Sequence, residues 1–171
     1  MGGRHRGGDA SLRGGRVVRH WLIKSEPDVF GIDDLAAARG RRTSWDGVRN
    51  YQARNFLRDE MKRGDLAFFY HSNCAEPGIA GIAKIVKEGY PDTTAFDSSD
   101  PHYDPNSDPS RPRWYMVDVQ LQRKLKRTIA LAELKRHADD ELRGFALLRR
   151  GNRLSVLPVS EEHWRFISSI E

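Results

Sequence analysis

Residues 45–55 read Trp-Asp-Gly-Val-Arg-Asn-Tyr-Gln-Ala-Arg-Asn, a mixture that base recognition needs and a fold alone does not. Aromatic faces stack on nucleobases, amide side chains offer both donor and acceptor to a polar base edge, and guanidinium groups meet phosphates. Trp45 is the candidate stacking platform, a contact worth about 1–3 kcal/mol per base. Asn50 and Tyr51 are candidates for the polar edge of a flipped base, and Arg49 and Arg54 for phosphate. Each also has a structural reading: Asp46-Gly47 as a turn, Asn50 as a helix cap, Trp45 as core, and Arg54 with Arg58 as a solvated helix face.

Other polar groups fall at strand ends. Alternation along residues 20–24 sets Trp21, Ile23 and Ser25 on one face and Leu22, Lys24 and Glu26 on the other, until Pro27 ends the strand. Lys24 and Ser25 can therefore face a cavity there. His71 and Ser72 end a later strand in the same way, although a histidine so placed is more often a hydrogen-bonded structural group. Arg153 and Ser155 alternate with Leu154 and Val156 near the C-terminus. Cys74 lies close to His71 in sequence, but nothing marks the orienting third group of a nucleophilic triad. No metal triad, phosphate loop or nucleophile elbow is present, so no catalytic residue, metal or cofactor is expected.

The elements that must position these groups are short and mixed. Strands are expected over 20–24, 65–71, 79–87, 114–121, 124–129 and 153–159, with 65–71 and 79–87 paired across Pro77-Gly78 and 124–129 returning along 114–121. Helices are expected over 32–39, 51–63, 131–137, 140–150 and 161–170, the last capped by Ser160. Strands joined by hairpins and short helices imply an α+β fold: a small, curved, mostly antiparallel sheet or barrel with flanking helices. Residues 90–113 alternate five prolines with five aspartates and form a long loop, the aspartates serving as turn residues; the spacing lacks the glycine and closing glutamate of a calcium loop.

At 171 residues with a net charge of +5, the chain has material for one core and a balance that favours polyanions. No apolar run approaches the roughly 20 residues of a membrane span, and the single Cys74 rules out an internal disulfide and a cysteine-based zinc site. A soluble intracellular protein is expected. Residues 1–19 hold five arginines and six glycines and read as a flexible basic arm or an ordinary disordered tail, with one domain over 20–171.

Four segments together resemble the EVE domain family: Trp21 to Pro27, the whole 45–55 stretch, Phe69-Tyr70-His71-Ser72, and Asn152-Arg153-Leu154-Ser155-Val156, in the family's order and at about its spacing. The resemblance implies a PUA-like fold, a small β-barrel with surrounding helices, and binding of a modified cytosine or adenine in DNA or RNA. It also implies a pocket built at strand ends, which places Lys24, Ser25, Trp45, Asn50, Tyr51, His71, Ser72, Arg153 and Ser155 around the base. A chain made of this domain alone looks most like the stand-alone bacterial form, expected to be a cytoplasmic monomer; a eukaryotic source would make it nuclear. The rival implication is a small hydrolase, because some PUA-like relatives use a lysine and a carboxylate as an amidohydrolase pair, and Lys24 and Glu26 offer those groups.

Overall fold

Two buried faces account for the strand sequences. Trp21-Leu22-Ile23 and Ala67-Phe68-Phe69-Tyr70 are uninterrupted apolar runs, which suit strands covered on both sides rather than on one. The computed structural model describes residues 12, 13 and 16–171; of the expected basic arm, positions 1–11, 14 and 15 lie outside them. Leu12–Arg13 (β1) and Arg16–Val17 (β2) form a small antiparallel ribbon. The main sheet comprises His20–Ser25 (β3), Arg42–Trp45 (β4), Leu66–His71 (β5), Gly78–Pro91 (β6), Tyr115–Ala130 (β7) and Val156–Val159 (β8), in the order β4-β7-β6-β5-β3-β8. Only β3 and β5 run parallel; the other neighbours are antiparallel.

The architecture is thus α+β and mostly antiparallel, as expected, but the sheet is open. β4 and β8 are its edges and do not pair with each other, so the expected barrel is not closed. β8 is only four residues long and carries Pro158, which has no N–H to give a ladder, a composition suited to an edge. On one face Trp21, Ile23, Phe69, Val117 and Val119 pack with Leu35 and Leu57; on the other Leu22, Phe68, Ile129 and Leu157 pack with Trp164 and Ile167. Short helices cover both: Pro27–Phe30 (α1), Ile32–Ala37 (α2), Tyr51–Asn55 (α3), Leu131–Lys135 (α4) and Glu161–Ser169 (α5). Ser160 caps α5 as expected, its Oγ accepting from the His163 N–H at 3.1 Å.

Four expectations of extent differ. Residues 124–129 do not return along 115–121. They continue the same 16-residue strand β7, because no glycine, proline or asparagine makes a turn at Gln122-Arg123, and successive bulges against β6 absorb the curvature. The helix expected over 51–63 passes into a π turn at Phe56–Glu60 and ends at Met61. Residues 140–150 form turns and a 3-10 segment, Ala146–Leu148, since Gly144 at φ +79° interrupts them. β8 begins at Val156, leaving Arg153 and Ser155 in the segment that leads into it.

One buried carboxylate locks the start of β3 to β5. Asp65 is fully buried and accepts hydrogen bonds from the Trp21 indole N–H at 3.0 Å, the Lys62 N–H at 2.9 Å and the Arg19 N–H at 3.1 Å. Removing the acceptor strands these donors. Asp65→Ala is expected to lower unfolding stability by about 2–4 kcal/mol in urea titrations; an unchanged midpoint would show that the lock contributes nothing.

Candidate functional site

A cavity of about 530 Å³ opens where the end of β3 meets α1, the end of β4 and Ser155. Its position follows from the strand order. β3 ends at Ser25, and the Ser25 Oγ–H donates to the Phe30 carbonyl at 2.6 Å, fastening α1 over the strand end. The Ser72 N–H donates to the Ser25 carbonyl at 2.9 Å, and the Lys24 N–H to the Ser155 carbonyl at 2.9 Å, so all three segments are tied at one level.

Trp45 closes β4 opposite Val117 and is only 7 % exposed. Its ring meets Phe69 edge-on, with centroids 5.4 Å apart, while the residue also lines the cavity. It is therefore core and wall at once: the core reading of Trp45 holds, and the residue also borders the cavity.

The opposite wall is held by a second buried carboxylate. Asp92 accepts from the Gly47 N–H at 2.8 Å, from Arg49 Nη1 at 3.0 Å, and from the Thr94 N–H and hydroxyl at 2.9 and 2.6 Å. Arg49 reaches further, donating to the His102 carbonyl through Nε and Nη2 at 3.0 and 2.7 Å, and to Thr94 Oγ1 at 3.1 Å. This draws the proline-aspartate loop over the Trp45 segment and brings His102 to the cavity. Gly47 sits at φ +80°, and a Cβ there would lie 2.7 Å from the His102 ring, so only glycine allows the approach. The loop's aspartates are turn residues, as expected: Asp97, Asp100, Asp104 and Asp108 each accept from a backbone N–H two residues on. Among the described residues no group of three or more His, Cys, Asp or Glu is placed to hold a metal ion.

Of the nine residues expected around the base, Lys24, Ser25, Trp45 and Ser155 line this cavity together. The other five lie outside its lining. Asn50 caps α3, its Oδ1 accepting from the Ala53 N–H at 3.0 Å. Tyr51 is half-exposed and stacks on Trp114 at 4.8 Å, beneath the Arg54 guanidinium. His71 Nε2 accepts from the Ile32 N–H at 3.1 Å, and burial pulls its pKa down, partly offset by Asp33, which keeps the ring in the neutral form that can accept. Ser72 follows β5, and Arg153 is exposed. The two arginines assigned to phosphate hold intramolecular partners: Arg49 in the Asp92 clamp, and Arg54 on the Arg113 carbonyl at 2.6 Å and Asn55 Oδ1 at 2.8 Å.

Several lining residues escaped the sequence reading: Asp46, Val48, Phe30, Thr43, Ser44 and His102. His102 had a signal in the loop's length, since long ordered loops are usually functional. Asp46 did not, because a turn explains an Asp-Gly pair fully.

An open α+β sheet with this polar, tryptophan-walled cavity at one rim is that of a known family: the chain belongs to the EVE domain family, whose model matches residues 19–170. Thymocyte nuclear protein 1 of Homo sapiens is 52% identical over 167 residues, spanning 89% of this chain and 73% of that protein. An uncharacterised protein of Schizosaccharomyces pombe is 45% identical over 163 residues, spanning 89% of this chain and 68% of that protein. Among solved structures, human THYN1 protein in complex with 5-methylcytosine-containing DNA has a TM-score of 0.85 at 52% identity, covering 88% of this chain and 96% of that one. A protein from Pseudomonas putida has a TM-score of 0.83 at 46% identity, covering 88% and 97%.

Two predictions test the clamp. Gly47→Ala combines a strained φ with a collision at His102 and is expected to cost about 1–3 kcal/mol of stability, read as a lower Tm; a wild-type Tm would mean that the loop packs elsewhere. The second concerns pH. Burial pushes the Asp92 carboxyl up, but hydrogen bonds from Thr94, the Gly47 N–H and Arg49 outweigh it and hold the pKa below the ordinary range. Because the folded carboxyl binds its proton less readily than the unfolded one, its contribution is complete above the ordinary range and is lost as pH falls below about 4. Asp92→Asn should therefore be less stable than wild type at neutral pH, with the gap narrowing in acid; a gap constant from neutral to acid pH would contradict the clamp.

Proposed function

We propose that this protein is a non-catalytic reader of modified cytosine that takes the flipped base into the cavity beside Trp45. The carrying observation is the convergence of Trp45, Lys24, Ser25 and Ser155 on one cavity of about 530 Å³. That volume falls within the roughly 300–1,000 Å³ of ligand clefts and leaves space for a base with part of its sugar. The EVE relative solved with 5-methylcytosine-containing DNA supports the choice of cytosine and of DNA. In this reading Trp45 stacks or abuts the base, Val48 adds apolar surface for a methyl group, and Lys24, Ser25 and Ser155 offer polar contacts. Asn50 and Tyr51 stand beside the clamp, and His71 and Ser72 support α1 and α2. Arg54 and the exposed Arg153 carry positive charge that phosphates can meet, with Arg49, its donors engaged in the clamp, adding only to the local field, and a salt-dependent component of affinity follows. The PUA-like relation of the fold and a monomeric state belong to the same proposal. Relatives named for the nucleus favour a nuclear protein in a eukaryotic source.

Equilibrium binding to duplexes that differ only in one 5-methylcytosine tests the reading. Wild type should prefer the methylated duplex, and Trp45→Leu, which keeps apolar bulk, should lower its affinity about tenfold or more, in keeping with ~1–3 kcal/mol for a stacked base. A melting curve on the same variant separates binding from folding. Equal affinity for both duplexes in wild type would defeat the proposal. Prolonged incubation with acylated and methylated cytidines should return every nucleoside intact by mass spectrometry; deacylation lost in Lys24→Met would favour a hydrolase acting through Lys24 and Glu26 instead.

A further inference from the structure

We propose that Asp46 reads the exocyclic amine of the bound base and so sets the cavity's choice of cytosine over thymine or uracil; the proposal rests on the reader function above. Asp46 follows Trp45 directly and lines the same cavity. Two ionisable side chains there are unspent: among the described residues, neither the Asp46 carboxyl nor the Lys24 ammonium makes a hydrogen bond or salt bridge. Every other aspartate of the neighbouring clamp and loop is engaged, including Asp92, Asp97, Asp100, Asp104 and Asp108.

The backbone fixes where Asp46 can look. Trp45 is held by β4 pairing on one side, and Gly47 is held by Asp92 on the other, so the backbone of Asp46 is fixed beside the cavity. Its side chain is exposed while bordering the cavity. Burial first, and the charge of Asp92 next, raise the Asp46 pKa, with Asp100 adding to this and His102 and Arg49 opposing it. An acceptor without a donor shows this behaviour, and a ligand amine would relieve it.

The chemistry then selects. An ionised carboxylate accepts hydrogen bonds and cannot donate. Cytosine presents an amine at C4 and thymine a carbonyl, so Asp46 satisfies the first and repels the second. A methyl group at C5 is shared by 5-methylcytosine and thymine, so neither Trp45 nor Val48 can tell these two apart. Lys24, a donor whose pKa burial lowers, suits a carbonyl that both bases carry at C2. Asp46 is thus a specificity residue of the site, with the C4 substituent as its target.

The test uses three duplexes with guanine opposite one site occupied by 5-methylcytosine, cytosine or thymine, titrated with wild type, Asp46→Asn and Asp46→Ser. Comparing variants on the same duplexes cancels the cost of flipping each base. Wild type should favour 5-methylcytosine over thymine by about tenfold to a hundredfold. An amide can rotate to donate or accept, so in Asp46→Asn that ratio should collapse to within about threefold while the preference for 5-methylcytosine over cytosine persists. Asp46→Ser should likewise lose the thymine discrimination, which guards against a single variant that misfolds. Wild-type discrimination retained in both variants overturns the role of Asp46 and leaves the reader function standing. A wild type indifferent to the C5 methyl overturns the reader function, and this inference with it.

Discussion

The buried carboxylate of Asp92 is the contact on which the site depends. It lies at the point where β6 gives way to the long loop, and through Gly47 and Arg49 it joins the segment after Trp45 to the start of that loop, with Thr94 completing its shell. A buried charge is costly unless it is paired and hydrogen-bonded, and here both conditions hold. The consequence is geometric. The loop cannot lift without exposing Asp92, and the segment after Trp45 cannot shift without losing Gly47, so the cavity wall is set before any ligand arrives. Preorganisation of this kind reduces the ordering cost of binding.

Trp45 connects that wall to the core. Its edge-on contact with Phe69 and its pairing partner Val117 place it among the buried residues of one sheet face, while its remaining surface borders the cavity. A ring held this way is rigid, because the packing that stabilises the protein also fixes it. It is also hard to mutate cleanly, since removing the ring opens a void in the core as well as the site. Tyr51 and Trp114 form a second aromatic pair outside the cavity, braced by Arg54 and Arg49. The two aromatics of the 45–55 segment are here divided between an edge-on pair and a stacked pair.

Much of the fold was legible because its patterns are local. Alternation in β3 and β7, the cap of α5 and the pairing of β5 with β6 all follow from periodicity and turn residues. Closure of the sheet depends on non-local pairing and was not legible, whereas the length of β7 and the break at Gly144 had local signals in the missing turn residue at Gln122-Arg123 and in the glycine itself. The site divides along the same line. Lys24, Ser25, Trp45 and Ser155 lie at strand ends or next to them, where alternation places polar groups. Asn50 was ambiguous between cap and ligand, and the structure uses it as a cap. Asp46 reaches the cavity as the neighbour of Trp45, and His102 through the Asp92–Arg49 clamp, whose contacts span 45 and 53 positions and fall outside any window of sequence.

A flipped, modified cytosine seated against Trp45 can be observed through the base itself. A duplex carrying a single 5-methylcytosine with a ¹³C-labelled methyl group can be bound to the protein and examined by NMR. The methyl signal is expected to move under the ring current of Trp45 and to show cross-relaxation to Trp45 and Val48. A methyl signal that keeps its duplex neighbours on saturation, with contacts to neither residue, would contradict that placement of the base.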